Sequence, residues 1–328
     1  MKPTLDSQIL RVLREAGEGT VPAADIAKQL GVARSAVAGR IQALRSLGYE
    51  IETTPHLGYR LLGSPDLLHA DDLASRLDED ALIGREIHVF EATTSTNDLI
   101  EKFARDGIKE GIAVFAEAQT NGRGRLGRKW ISPRRKGLWF SLLLRPQLRP
   151  DEATQITVAS ATALRRAIQK VTGLKAQIKW PNDILIAGRK TAGILTELRA
   201  ELDRINYIIL GIGVDVNLNP TDFPADLRKA ATSLKAELGR PVCRPELAGQ
   251  ILRELDADYA RIVGGQFSKV SDEWEAHCDT IGRNVSIRIG ERLLRGRAES
   301  LGEEGALLLR TDHGHLERIV GGDVSLEK

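Results

Sequence analysis

The stretch Gln119-Thr-Asn-Gly-Arg-Gly-Arg-Leu-Gly-Arg-Lys-Trp130 limits the fold more than any other part of the chain. Its glycines at 122, 124 and 127 satisfy a G-x-G-x-x-G spacing, which in a dinucleotide-binding fold must open a helix at the third glycine. Here Trp130-Ile-Ser-Pro133 follows, and proline behind an arginine cluster is a poor helix start. The dinucleotide reading is therefore rejected, and the segment is expected to be a loop. From Gln119 to Lys136 it carries seven basic residues and no acidic one. Glycine lets backbone approach a ligand, and arginine offers a planar fork of donors to carboxylate or phosphate. Such a loop suits closing over a poly-anion; read alone, it is equally a solvated basic surface.

A chain of 328 residues is too long for one ordinary core, so two or three domains are expected. The net charge of +2 is too small for wholesale attraction to nucleic acid or membrane, so any such binding must come from local patches. Cys243 and Cys278 stand at no metal-ligand spacing and read as packing residues in a reducing compartment. No metal-binding cluster is expected. No apolar run reaches membrane-spanning length, and the N-terminus lacks a signal-peptide pattern. A cytoplasmic protein without a membrane partner is the expectation.

In the first sixty residues, Leu5, Ile9 and Leu13 mark one short helix, and Ile26 with Leu30 a second that Gly31 ends. Val37, Ile41 and Leu44 give the inner face of a third, from about Arg34 to Leu47. Tyr49 to Thr53 and Tyr59 to Leu61 alternate like strands around a Pro55-His56 turn. This order describes a winged helix-turn-helix over residues 1–63. The third helix turns Arg34, Ser35, Ala38, Arg40, Gln42 and Arg45 away from its apolar stripe, and these with His56 are the candidate DNA contacts. Ala33 stands where a capping serine is expected, which forgoes about 1 kcal/mol. Eight basic against six acidic residues through Leu62 make phosphate attraction modest, a deficit that two modules in a dimer would offset; a small interaction domain is the alternative.

Residues 66–278 alternate between strand and helix patterns. Strands are expected at Glu86–Phe90, Ile112–Ala118, Leu138–Leu144, Ala176–Trp180, Ile184–Ile186, Gly193–Leu198 and Asn206–Val216, with helices at Asp98–Asp106, Glu152–Val171 and Pro245–Val263. Hairpin-like spacings argue for a mixed α+β sheet. Residues 279–328 hold four short apolar strands split by glycine turns, the pattern of a small β-barrel. Four central segments carry polar groups that a plain core would not want: Thr94–Asn97, Lys179–Asp183, Arg189–Gly193 and Gly211–Asn217. Each alone has an ordinary reading as cap, turn, hairpin or close-packed strand. Their conjunction with the basic loop, in this order, is not well explained by four coincidences.

Ser95-Thr-Asn97, Gly122-Arg-Gly-Arg-Leu-Gly-Arg-Lys-Trp130, Lys179-Trp-Pro-Asn-Asp183, Arg189-Lys-Thr-Ala-Gly-Ile-Leu195 and Gly211-Ile-Gly-Val-Asp-Val-Asn217 resemble the biotin–protein ligase family. With the winged helix in front, nearly the whole chain resembles the bifunctional biotin ligase and biotin-operon repressor, whose C-terminal domain is an SH3-like barrel. The resemblance implies that biotin and ATP, with Mg²⁺, form biotinyl-5′-AMP, and that biotin then passes to a lysine of biotin carboxyl carrier protein. It implies a homodimer on operator DNA when the adenylate is bound as corepressor. Lys190, Arg123 and Asp183 would be catalytic. Ser95, Thr96, Asn97, Gln119, Gly122, Arg123, Gly124, Arg125 and Lys190 would bind biotin. Arg125, Arg128, Lys129, Trp130 and Asn217 would bind ATP. The chain departs from the family at Asp215, where asparagine is common, so a carboxylate there could repel the nucleotide or help a metal. It departs again at Arg134-Arg135-Lys136, in place of a short glycine turn. Rival readings are a lipoate ligase and a ligand-sensing transcription factor without catalysis.

Overall fold

A computed structural model describes residues 3–326; the outermost residues of the first and last expected domains lie outside that range. Helices α1 (Leu5–Glu15), α2 (Ala23–Leu30) and α3 (Arg34–Ser46) are followed by a hairpin of β1 (Glu50–Thr54) and β2 (Gly58–Gly63). Ile9, Leu10, Leu13, Ile26, Val37, Ile41 and Leu44 meet in a core of their own. As the sequence implied, Ala33 caps α3 with no side-chain hydrogen bond. The wing is the hairpin, and the helix-turn-helix expectation holds.

The short helix α4 (Ala70–Ala74), which carried no clear sequence signal, receives α1. Arg14 of α1 pairs with Asp72 of α4, which is also held by Arg76 at 2.9 Å, while Arg11 pairs with Glu79 at 2.7 Å. Asp72 is almost fully buried, so its charge needs these partners. The winged helix is thus tied to the central domain by ion pairs and not by a shared apolar core.

Seven strands form the central sheet: β3 (Glu86–Phe90), β4 (Ile112–Ala116), β5 (Leu138–Leu144), β6 (Ala176–Lys179), β7 (Asp183–Ile186), β8 (Arg189–Ala200) and β9 (Ile205–Val214). Their spatial order is β3-β4-β5-β9-β8-β7-β6. Only β3 and β4 run parallel, joined through helix α5 (Thr96–Arg105); the other neighbours are antiparallel. The mixed sheet is as expected, and β8 begins at the Arg189-Lys190 end that the apolar pattern missed. One face packs on α6 (Thr154–Thr172), which in turn meets α8 (Arg244–Val263) and α9 (Phe267–Ala276) beyond the short α7 (Leu234–Leu238). The other face packs on α5.

The C-terminal sheet holds β10 (Asn284–Ile289), β11 (Arg292–Leu301), β12 (Leu307–Thr311), β13 (Leu316–Ile319) and β14 (Asp323–Leu326), ordered β13-β12-β11-β10-β14. Its edge strands β13 and β14 are consecutive in sequence. Across a flat sheet they would lie roughly 19 Å apart, more than the roughly 14 Å that the link from Ile319 to Asp323 can span. The sheet therefore curls on itself. Strand β14 was not foreseen, and it is the one that reaches the site.

Candidate functional site

A cavity of about 610 Å³ opens between the basic loop, strands β7 to β9 and the start of β14. Its volume is in the range of ligand pockets. It is lined by Ser95, Thr96, Asn97, Gln119, Arg123, Gly124, Arg125, Arg128, Lys129, Trp130, Asp183 and Lys190, so the structure brings together most of the expected site.

At one end the chain builds a polar wall. Gln119 Oε1 accepts from the Thr96 amide at 2.9 Å, and Gln119 Nε2 donates to Ser132 Oγ at 2.9 Å. Thr96 and Ser141 hydroxyls lie 2.7 Å apart, Ser141 Oγ donates to Asn97 Oδ1, and Asn97 Nδ2 donates to Glu197 Oε2. Side chains locked in this way form a preorganised surface for a polar, uncharged ligand group. Ser95 caps α5 without spending its hydroxyl on the helix, although the residue is only 3% exposed. Its oxygen is free to meet a ligand. Ser141 and Glu197 were missed by the sequence reading; the signal for Ser141 was a lone polar residue inside the apolar strand Leu138–Leu144.

Glycine spacing on β8 and β9 makes room for this wall. A methyl group on Gly211 would stand 2.4 Å from Asn97 Oδ1. One on Gly213 would stand 2.5 Å from the Trp130 indole, and one on Gly193 2.9 Å from the same ring. Gly193 and Gly213 are register partners, so together they form a flat seat for Trp130. The close-packed-strand reading of this motif holds, and the neighbours packed on Gly211 and Gly213 are the cavity-lining Asn97 and Trp130.

Lys190 stands beside that seat. Its ammonium lies 2.5 Å from Asp183 Oδ1 and 5.2 Å from the centroid of the Trp130 ring. The basic loop is held over the cavity by its arginines. Arg123 donates to Asp98 Oδ1 at 2.6 Å and lies 3.6 Å from Glu197. Arg125 donates to Asn182 Oδ1 at 3.1 Å and leans on the Gly322 carbonyl, and burial lowers its pKa. Arg128 pairs with Asp323 at the start of β14. Each of these three arginines is thus held by a side chain or carbonyl that an incoming anion could displace. No sequence signal pointed to Asp98, Asp323 or Gly322 as their partners.

Several expected residues are elsewhere. Asn217 does not line the cavity: its amide braces Val242 through bonds of 2.9 Å each way and reaches Asp66, because the chain leaves the sheet after Val214. Gly122 also lies off the cavity, and a methyl there would meet the Trp130 carbonyl at 2.6 Å, so its smallness serves the loop's own closure. Asp215 does line the cavity, 5% exposed, with its carboxyl well above the usual range through burial, partly offset by Lys190. Arg134 and Lys136 face away, paired with Glu91 and with Asp222 at 2.8 Å.

On the winged helix, Arg34, Ser35, Ala38 and Gln42 are exposed on α3, as is His56 at the wing tip. Arg40 and Arg45 are engaged differently from expectation. Arg40 forks onto Asp6 of α1, and Arg45 donates to the Ile51 carbonyl at 2.6 Å and Thr53 Oγ1 at 2.6 Å. They brace the module, since the helix face that holds them also faces α1 and β1.

Residues 89–215 match the Biotin/lipoate A/B protein ligase family, residues 6–60 an HTH domain, and residues 280–327 the Biotin protein ligase C terminal domain. The chain is 35% identical over 326 residues to the bifunctional ligase/repressor BirA of Bacillus subtilis, covering 99% of this chain and 100% of the relative. It is 31% identical to that of Escherichia coli, covering 92% and 91%. The biotin protein ligase from Aquifex aeolicus, solved in complex with biotin and ATP, superposes with a TM-score of 0.63 at 28% identity over 74% of this chain and 99% of that one. With its helix-turn-helix, mixed catalytic sheet and C-terminal sheet in this order, the chain belongs to the biotin protein ligase family, in the bifunctional ligase/repressor form.

Proposed function

We propose that the chain is an ATP-dependent biotin–protein ligase and a biotin-responsive DNA-binding repressor, with the cavity under the basic loop as its active site. The carrying observation is Lys190, set between Asp183 and the Trp130 ring in a cavity that also takes the loop arginines. The biotin carboxylate would attack the α-phosphorus of ATP, pyrophosphate would leave, and the carrier lysine amine would then attack the acyl carbon and release AMP.

The first step brings two anions together, so fixed cations must face the charge that builds up. Lys190 is assigned to the carboxylate and α-phosphate, Arg123 to the biotin tail and phosphate, and Arg125 with Arg128, Lys129 and Trp130 to the nucleotide. Ser95, Thr96, Asn97 and Gln119 are assigned to the ureido ring, whose carbonyl and two N–H groups need partners once buried. Gly124 permits the loop's close approach. Asp183 is assigned to orient the carrier lysine. Mg²⁺ belongs to this chemistry, yet among the described residues no group of three or more His, Cys, Asp or Glu could hold a metal. An ion of this kind is held mainly by substrate phosphates and waters, with one or two carboxylates.

The exposed α3 residues Arg34, Ser35, Ala38 and Gln42, with His56, are assigned to operator DNA, and an adenylate-bound homodimer would present two such faces. No helix among the described residues is long and apolar enough to cross a membrane. Biotin-dependent exchange of pyrophosphate into ATP tests the enzyme reading. Exchange driven by lipoate and not by biotin would move the assignment to the lipoate branch. A gel shift on promoter DNA, with and without biotin plus ATP, tests the repressor; DNA binding without any exchange would favour a sensor that has lost catalysis.

A further inference from the structure

Asp215 is a surplus carboxyl in this cavity. It follows the end of β9, with its backbone fixed by Thr191 of β8 at 2.8 Å and by the Leu234 amide of α7 at 3.0 Å. No hydrogen bond to its side chain is made among the described residues, although it is 5% exposed and lines the cavity. On the elements packed against it, Arg189 of β8 pairs with Glu237 of α7. Lys190 of β8 is the cation that acts on Asp215, but its ammonium is already matched by Asp183 of β7 at 2.5 Å. Lys235 of α7 points to Asn219 Oδ1 at 2.9 Å. An ionised Asp215 would set a second carboxylate beside Lys190, close to where a carboxylate and a triphosphate are to meet. A buried carboxyl without its own partner relieves that cost by keeping a proton.

We propose that Asp215 contacts the nucleotide as a neutral carboxylic acid, donating its O–H to an acceptor oxygen of the adenylate. In that form it offers one donor and one acceptor, as an amide does, so it can face an anionic ligand without repelling it. The inference rests on the ligase reading of the cavity. Burial that holds the group well above its ordinary pKa, with Lys190 offsetting only part of the rise, supports it. The group is neutral below its raised pKa and anionic above it, so nucleotide binding weakens as pH climbs past that point.

The test follows biotin-dependent pyrophosphate exchange across pH, for the full chain and for Asp215→Ala and Asp215→Asn. Asp215→Ala is expected to raise KM for ATP by about tenfold, as loss of one hydrogen bond from a buried site does. Asp215→Asn is expected to restore most of that loss and to lack the alkaline rise in KM expected of the parent. An alkaline limb that persists in Asp215→Asn, or an amide variant as poor as the alanine one, overturns the proposal. Infrared difference spectra of parent against Asp215→Asn, without substrates, give a readout independent of the ligase reading. A neutral carboxyl C=O band lost in the variant at neutral pH supports the proposal even where exchange is absent, and only carboxylate bands in the difference overturn it.

Discussion

Lys190 does two jobs at the scale of one side chain. Its ammonium faces Asp183 while its position against Trp130 fixes where that charge stands. Alanine there would leave Asp183 without its partner and remove the cation from the reacting anions. Lys190→Ala is expected to lower biotin-dependent exchange by about 10²–10³-fold, the scale for losing one electrostatic stabiliser. Exchange within a factor of a few of the parent would remove Lys190 from the chemistry. Asp215 has a separate consequence for the ligand-free protein. Its folded-state pKa is raised, so its stability is fully present below the ordinary 3.8 and is lost as pH climbs through the folded value. Thermal midpoints of Asp215→Asn should match the parent in acid and exceed it increasingly at higher pH; a constant offset at all pH would contradict the buried, uncharged group.

Elements act here through what they leave out. Strands β8 and β9 use Gly193, Gly211 and Gly213 to keep a surface on which Trp130 and Asn97 rest. Gly213→Ala would force the indole off its seat, at a cost of about 1–3 kcal/mol if nothing else relaxed. Because Trp130 belongs to the loop, the expected outcome is displacement: KM for ATP rises and the Trp130 fluorescence component shifts, while unfolding changes little. An unchanged KM would show that the seat is not used. On α3 the same logic separates contact from support. Arg34→Ala is expected to weaken operator binding by about 1–3 kcal/mol, roughly 5- to 150-fold, and to leave exchange intact. Arg45→Ala removes the bonds to Ile51 and Thr53, so its effect on DNA would come with faster amide exchange in β1.

Across the whole molecule, the loop is fastened to the C-terminal sheet and the winged helix to the central domain, both by charge. The pair Arg128–Asp323 is largely exposed, and such pairs contribute at most about 1 kcal/mol. It can therefore bias the lid without locking it. Asp323→Asn is expected to speed tryptic cleavage in the loop by roughly two- to fivefold in the ligand-free protein, consistent with a loss of that size. Saturating biotin and ATP should erase the difference. Equal cleavage rates without ligand would show that β14 does not hold the lid. At the other end, Arg14 on the largely buried Asp72 gives the DNA-binding module a defined seat on α4.

The amino-acid sequence determined the winged helix, the mixed sheet and four of the five C-terminal strands, because each is written in local form. Periodicities of 3.6 and 2, glycine turns and a contiguous basic loop need no partner to be read. It also located Lys190, Arg123, Arg125 and the Ser95–Asn97 wall. The partners of those groups were decided only by the tertiary structure. Asp98 and Glu197 against Arg123, Asp323 against Arg128, and Asp6 against Arg40 lie between 25 and 195 residues apart or on different elements. Strand direction after Val214 put Asn217 outside the cavity and Asp215 inside it. A charge's chemistry is set by what faces it and how much water is excluded, and both are properties of the packed chain.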